Sequence, residues 1–197
     1  MEFEAKIKRG SRESKWVASL RPLIAKSLRG EASLRVDIGE RLPYRHEIHS
    51  YKGDGQDPME RRTARYQTDL LIWEMIDRGW VPRVVIECKI GSITTHDALT
   101  YSAKAATHKQ VHPYLRYGIL IGDLAHVPMR LLSHGAHFDF MAAWRHERPS
   151  PAKWQLFARL LMDEVRASRL LSRMTDKTSR AEKHTLIHRP FVLPALS

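Results

Sequence analysis

Residues 66–90 read YQTDLLIWEMIDRGWVPRVVIECKI, and this stretch decides the fold. Two runs rich in β-branched and aromatic residues flank a turn signal around Asp77, Arg78 and Gly79, which predicts a β-hairpin of Tyr66–Met75 with Val81–Ile90. The second run ends unexpectedly. After Val84, Val85 and Ile86, an apolar strand places Glu87 and Lys89 two residues apart. Side chains alternate along a strand, so Glu87 and Lys89 share one face, while Val84, Ile86 and Cys88 line the other. An unpaired carboxylate and ammonium are costly to bury. Either the strand end is exposed and carries a weak surface ion pair, or a site there needs both groups.

A turn centred on Arg78 sets Leu71 opposite Val85, Trp73 opposite Arg83, Asp69 opposite Glu87 and Gln67 opposite Lys89. Opposed residues of an antiparallel pair share a face, with Cβ atoms roughly 5 Å apart. Asp69, Glu87 and Lys89 are therefore expected to cluster at one end of one sheet face. Two carboxylates that close repel, and without a counter-charge one of them holds a proton. A hard divalent cation relieves the conflict. Mg²⁺ takes oxygen ligands, is satisfied by one or two carboxylates and keeps several waters. Such a water is acidified by the metal and can attack a phosphodiester. Lys89 is suited to orient or deprotonate that water, or to stabilise developing negative charge. The backbone carbonyl of Cys88, between the two side chains, is a further candidate ligand.

Asp69 in QTDLL and Glu87-Cys88-Lys89 in VVIECK together resemble the signature of the PD-(D/E)XK nuclease superfamily, which includes most type II restriction endonucleases. The resemblance spans roughly residues 11–122 and departs at one position, where Thr68 rather than proline precedes Asp69. It implies an α/β, restriction-endonuclease-like core with a central mixed β-sheet flanked by helices. Asp69 and Glu87 would bind Mg²⁺, with Mn²⁺ as a substitute, and Lys89 would be catalytic. Many members use a Glu on the first helix, and Glu13 is the nearest counterpart here. Its alternative is a solvated first-turn Glu favoured by the helix dipole.

The rest of the chain agrees with that order. Trp16, Val17, Leu20, Leu23, Ile24 and Leu28 recur at helical spacing, with Ser11 as a cap and Gly30 as a stop. Residues 32–51 read as extended structure broken near Gly39 and Pro43, and residues 52–62 as a loop rich in glycine, proline and charge. A helix is expected from Thr94 to His112, a buried strand over residues 115–124, and a strand or short helix over residues 138–144. A long amphipathic helix follows Pro151, with Trp154, Phe157, Leu161 and Val165 on one side. These elements form one domain over residues 1–175, followed by a basic tail over residues 176–197.

Thirty-three Lys and Arg against 22 Asp and Glu give a net charge of +11, which favours a polyanionic partner, nucleic acid first. Arg61, Arg62 and Arg65, just before the Asp69 strand, are candidates for the backbone of DNA, although charge runs are commonly just solvated. Lys104 is a further candidate, with solvation as its alternative. Gln67 and His96 are accessory candidates for water or phosphate. His108 and His112 have zinc-ligand spacing, but no matching ligand pattern accompanies them or His134 and His137. No Gly-rich phosphate loop is present. A single cysteine permits no intrachain disulfide. No apolar run reaches the roughly 18 residues of a membrane span, and residues 1–16 lack an apolar signal core. A cytoplasmic protein without membrane attachment is expected.

The leading expectation is a Mg²⁺-dependent DNA endonuclease, working as a homodimer or with a larger partner subunit. The amphipathic helix after Pro151 would pack either on its own core or on a second subunit. Other nucleases on the same core (junction resolvases, transposon-end or repair enzymes) and a non-catalytic basic nucleic-acid-binding module are the alternatives.

Overall fold

The computed structural model describes residues 11–53, 55 and 57–175; the expected basic tail lies outside them. Eleven elements follow in order: α1 (Arg12–Ser27), β1 (Leu34–Ile38), β2 (Arg41–Tyr51), β3 (Pro58–Gln67), β4 (Leu70–Ile76), β5 (Gly79–Ile90), α2 (Thr95–Val111), β6 (Arg116–Gly122), α3 (Met129–His134), β7 (Phe140–Trp144) and α4 (Pro151–Thr175). A five-stranded sheet runs β1-β4-β5-β6-β7, and β2 and β3 form a separate ribbon. The pairs β1/β4 and β4/β5 are antiparallel, whereas β5/β6 and β6/β7 are parallel. The fold is thus α/β with a mixed sheet. Parallel strands need crossover connections, and α2 supplies the one between β5 and β6.

Helices cover both faces of this sheet. On one, Val84, Ile86 and Cys88 pack with Trp16, Leu20 and Ile24 of α1 and with Phe157, Leu161 and Val165 of α4. The amphipathic face of α4 is therefore spent within its own chain. Phe157 is 3% exposed and Leu161 and Val165 are fully buried, so those side chains offer no subunit seam. On the other face, Leu71, Val85 and Tyr117 pack with Ala105 of α2 and Leu42 of the ribbon. Among the described residues no helix is long and apolar enough to cross a membrane.

The helix starts follow their capping chemistry. Ser11 accepts from the Ser14 N–H at the head of α1. Thr94 and Asp97 form a reciprocal capping box at the head of α2, satisfying two otherwise orphaned donors.

Three expectations from sequence are corrected. Residues 52–62 are not all loop: Pro58 onward is strand β3, and Arg61 and Arg62 belong to the ribbon. The pairing of β4 with β5 has the expected register beside the site, with Leu70 opposite Ile86 and Leu71 opposite Val85. A bulge after Ile72 then sets Trp73 opposite Pro82 instead of Arg83. Finally, Tyr66–Met75 is not one strand. It breaks at Thr68 and Asp69, where β3 leaves the ribbon and β4 enters the sheet.

That break is half of a bend in a longer arm. Ile38 pairs with Leu70 below it and Arg41 with Gln67 above it, so Gly39 and Glu40 stand across from Thr68 and Asp69. The bend is stitched by Gly39 N–H to Thr68 O at 3.0 Å, Thr68 N–H to Glu40 O at 2.9 Å, and Thr68 Oγ1 to Glu40 O at 3.0 Å. Gly39 has φ +76°, a conformation that disfavours side chains, and a Cβ there would sit 2.7 Å from Gln67 Nε2. Thr68 is 1% exposed, so these bonds are made out of water.

The threonine at this position therefore has a use that proline lacks. Thr68→Pro should destabilise the protein by about 2–4 kcal/mol, since it removes both bonds to Glu40 O and forces a proline ring into the buried Thr68 position of the bend. Urea unfolding at neutral pH measures this; an unchanged midpoint would show that the bend does not depend on Thr68.

Candidate active site

Three carboxylates reach the same end of the sheet from three elements. Glu87 lies near the end of β5, on the face covered by α2, and is 3% exposed. Asp69 sits in the bend before β4, and its Oδ2 accepts the Cys88 N–H at 2.8 Å. Glu13, in the first turn of α1, accepts the Ile90 N–H through Oε2 at 3.1 Å. The bent arm positions Asp69. The start of α1 positions Glu13, anchored by Arg12 to Glu147 at 2.6 Å and to Asp123, and by Trp16 Nε1–H to Glu147 O at 2.7 Å. Of the two readings open for Glu13, the solvated first-turn residue is thus replaced by one whose carboxylate binds the backbone beside Lys89.

The counter-charge comes from α2. Lys104 Nζ donates to Glu87 Oε1 at 2.6 Å and to Gln67 O at 2.7 Å, and its side chain is 17% exposed. Lys104 was expected among the phosphate contacts or as a solvated residue; instead its ammonium is bound inside the carboxylate cluster. Tyr117 of β6 donates its hydroxyl to the same Glu87 oxygen at 2.5 Å. Lys89 follows Glu87 on the same face and is half-buried; the Asp97 carboxyl at the α2 start is held down by its hydrogen bonds from Thr94, with a smaller contribution from the Lys89 charge. Thus Lys104, not Lys89, is the ammonium bound to Glu87.

Electrostatics confirm that the acids feel one another. Burial pushes the Asp69 carboxyl up to about 7, and the neighbouring Glu87 and Glu13 add to this against the pull of the Cys88 N–H and Lys104. The Tyr117 hydroxyl is pushed up by burial and then by Glu87. Tyr101 of α2 is also raised, by burial and then by the charges of Glu87, Glu13 and Asp69. Burial raises the Cys88 thiol, with the same three carboxylates contributing, so it is no nucleophile.

The remaining candidates separate. Gln67 is at the site through its carbonyl, under Lys104. His96 is exposed in the first turn of α2, with Nε2 3.5 Å from Thr100 Oγ1, and makes no described contact with the carboxylates. Arg61, Arg62 and Arg65 lie along β3, away from the cluster. His108 is fully buried, ringed by Tyr44, Tyr66 and Tyr117, and burial holds its imidazole down to about 3. It packs in the core, and the zinc spacing of His108 and His112 gathers no further ligand among the described residues.

Hard oxygen donors and a surplus of negative charge suit a divalent cation such as Mg²⁺. Asp69 and Glu87 would hold it, with Glu13 beside them. Among the described residues, however, no three His, Cys, Asp or Glu side chains are gathered closely enough to hold a metal ion as they stand. Lys104 supplies the positive charge in that arrangement. The donor chemistry fits Mg²⁺ when two carboxylates ligate and water completes the shell.

Sequence reasoning did not find Lys104 at the carboxylates, or Tyr101 and Tyr117 at all. A weak signal existed for the helix residues. Ala98, Ser102 and Ala105 are buried on the side of α2 that meets the sheet, and Tyr101 and Lys104 border it. No protein-family model matches the chain, and no curated protein sequence matches it.

Proposed function

We propose that this chain is a Mg²⁺-dependent DNA endonuclease with a restriction-endonuclease-like core, hydrolysing phosphodiester bonds at the end of β5. The observation that carries the reading is the meeting of Asp69, from a backbone bend, with Glu87, from an apolar strand, in a buried cluster whose charges repel. Buried like charges of this kind are costly to a fold and are common at sites that use them. When bound, a hard divalent cation would supply an acidified water and charge neutralisation at the phosphate.

The chain's own residues have distinct tasks in this reading. Asp69 and Glu87 bind the cation. Tyr117 fixes the orientation of Glu87. Lys104 balances Glu87 in the cation's absence, and Lys89, half-buried at the strand end, would meet a phosphate oxygen. The closest functional analogy is a type II restriction enzyme; a resolvase or repair nuclease would use the same chemistry. Cutting both strands would require a homodimer or a partner subunit, because one such cluster is found among the described residues.

A second reading has one observation in its favour. Glu87 is already satisfied by Lys104 and Tyr117, as in a structural network. In that case the chain is a basic nucleic-acid-binding module. Incubation of supercoiled plasmid with full-length protein separates the two. The nuclease gives nicked or linear DNA with millimolar Mg²⁺ or Mn²⁺ and none with EDTA. A plasmid left supercoiled with either metal, by protein that binds it, would establish the module instead. Discrete bands rather than a smear would mark a site-specific enzyme.

A further inference from the structure

The β2–β3 ribbon has two chemically different faces. Along β3, Tyr66, Ala64, Arg62 and Glu60 alternate with Gln67, Arg65, Thr63 and Arg61, so the two sets point to opposite sides. The first set faces inward at the base, where the Tyr66 ring stacks on Tyr44 at 3.7 Å and lies over Lys104 and His108. Toward the tip this same face neutralises itself. Arg62 pairs with Glu60 at 3.1 Å, and Arg45, opposite Ala64, pairs with Glu47.

The second face does not. Arg65 stands opposite Pro43, Arg61 opposite Ile48, and Arg41 opposite Gln67. Between the arginines, His46 Nδ1 lies 3.1 Å from Thr63 Oγ1. All three arginines are exposed, and none has an ion-pair partner among the described residues. No Asp or Glu of β2 or β3 shares their face. A row of guanidinium groups with polar spacers and no acid is the complement of a phosphate backbone, for which arginine is well suited.

We infer that the Arg41–Arg61–Arg65 face of this ribbon docks on the backbone of duplex DNA. A two-stranded ribbon has the width that the major groove admits. Its strand β3 runs into the bend at Thr68 and Asp69, so Arg65 and Arg61 lie at most about 13 and 26 Å along the chain from that carboxylate, a reach of up to about eight base pairs. The inference rests on the proposed nuclease reading for its choice of duplex DNA; the face itself is defined by charge and register alone. Arg62, expected from sequence to act with Arg61 and Arg65, is assigned the opposite, self-paired side.

The test compares two double variants that remove the same charge. Fluorescence anisotropy measures binding of full-length protein to a duplex of about 25 base pairs in EDTA, across a salt series. Arg61→Gln with Arg65→Gln should weaken binding about tenfold or more and lower the log–log salt slope by nearly two, one for each lost phosphate contact. Arg45→Gln with Arg62→Gln should change affinity less than about threefold, because those side chains are engaged with Glu47 and Glu60.

Melting temperatures check both folds, and single Arg61→Gln, with half the slope change, serves if a double variant is unstable. Equal losses from the two pairs would mean simple net charge and overturn the inference. So would no binding by the wild type, or equal affinity and equal losses on a single strand. Face-specific binding without Mg²⁺-dependent cutting would uphold the docking face and defeat the nuclease reading. Cutting with both pairs equivalent would do the reverse.

Discussion

Glu87→Gln should lower the rate of Mg²⁺-dependent DNA cleavage by about a thousandfold or more while DNA affinity in EDTA stays within about threefold. Each 1.4 kcal/mol lost from transition-state stabilisation is about a factor of ten in rate, and removing a metal-binding carboxylate removes several kcal/mol. The amide keeps the size of Glu87 and can still accept the hydrogen bonds from Lys104 and Tyr117. What it lacks is the charge. Binding should survive because, in the proposed reading, the ribbon arginines rather than Glu87 meet the phosphates. Single-turnover cleavage at saturating protein separates the two quantities. Retention of more than a tenth of the wild-type rate would remove Glu87 from the metal site. Ca²⁺ gives a second check. It tolerates looser geometry than Mg²⁺ and acidifies bound water less, so it should support binding with little cutting.

Much of this site could be read before any coordinates, because it depends on local rules. Strand alternation puts Glu87 and Lys89 on one face, and a tight hairpin at Asp77 and Arg78 brings Asp69 to the same end of the sheet as Glu87. The turn is centred between Asp77 and Arg78 rather than on Arg78, and the one-residue bulge after Ile72 offsets that difference, so the expected pairing holds beside the site although neither irregularity was legible in the sequence. The helical pattern and caps of α1 and α2 were equally local.

What escaped was tertiary. Tyr66, Gln67 and Thr68 have the propensities of a continuing strand, and only the bonds from Gly39 and to Glu40 turn the chain there. Lys104 pairs with Glu87 because α2 crosses over β5 at one particular height, and no spacing within the helix encodes that height. For α4, the apolar stripe was visible but not its destination. A stripe that covers its own sheet and one that covers a second subunit have the same periodicity. The two faces of the ribbon escaped for a related reason. Arg61, Arg62 and Arg65 look like one basic run until the strand separates them by alternation.

Asp69→Asn should make the metal-free protein more stable at pH 8, by as much as about 4 kcal/mol, although it removes a residue central to the proposed chemistry. The carboxyl ionises at about 7 in the folded chain against an ordinary 3.8. Between those values the folded chain holds a proton that the unfolded chain has released. Stability contributed by this group therefore falls as pH rises through the window from about 4 to 7 and is lowest above it. At about 1.4 kcal/mol for each unit, the three-unit rise sets the magnitude.

Asparagine carries no such burden and can still accept the Cys88 N–H. The gain should shrink as pH falls and vanish below about pH 4, where the acid is neutral in both states. His108 acts in the opposite sense. Its imidazole, held at about 3 against 6.5, makes stability rise with pH between those values. That contribution is common to both proteins and cancels in their difference. Urea unfolding of the pair at pH 4, 6 and 8 in EDTA measures the effect. Repeating it with Mg²⁺ asks what the strain serves. Saturating Mg²⁺ at about 100 times its dissociation constant should restore about 2.7 kcal/mol to the wild type at pH 8 and much less to Asp69→Asn. A variant less stable than wild type at pH 8 would mean that the ionised carboxylate holds the bend together. Asp69 would then be structural, and the repulsion it shares with Glu87 would no longer point to a cation.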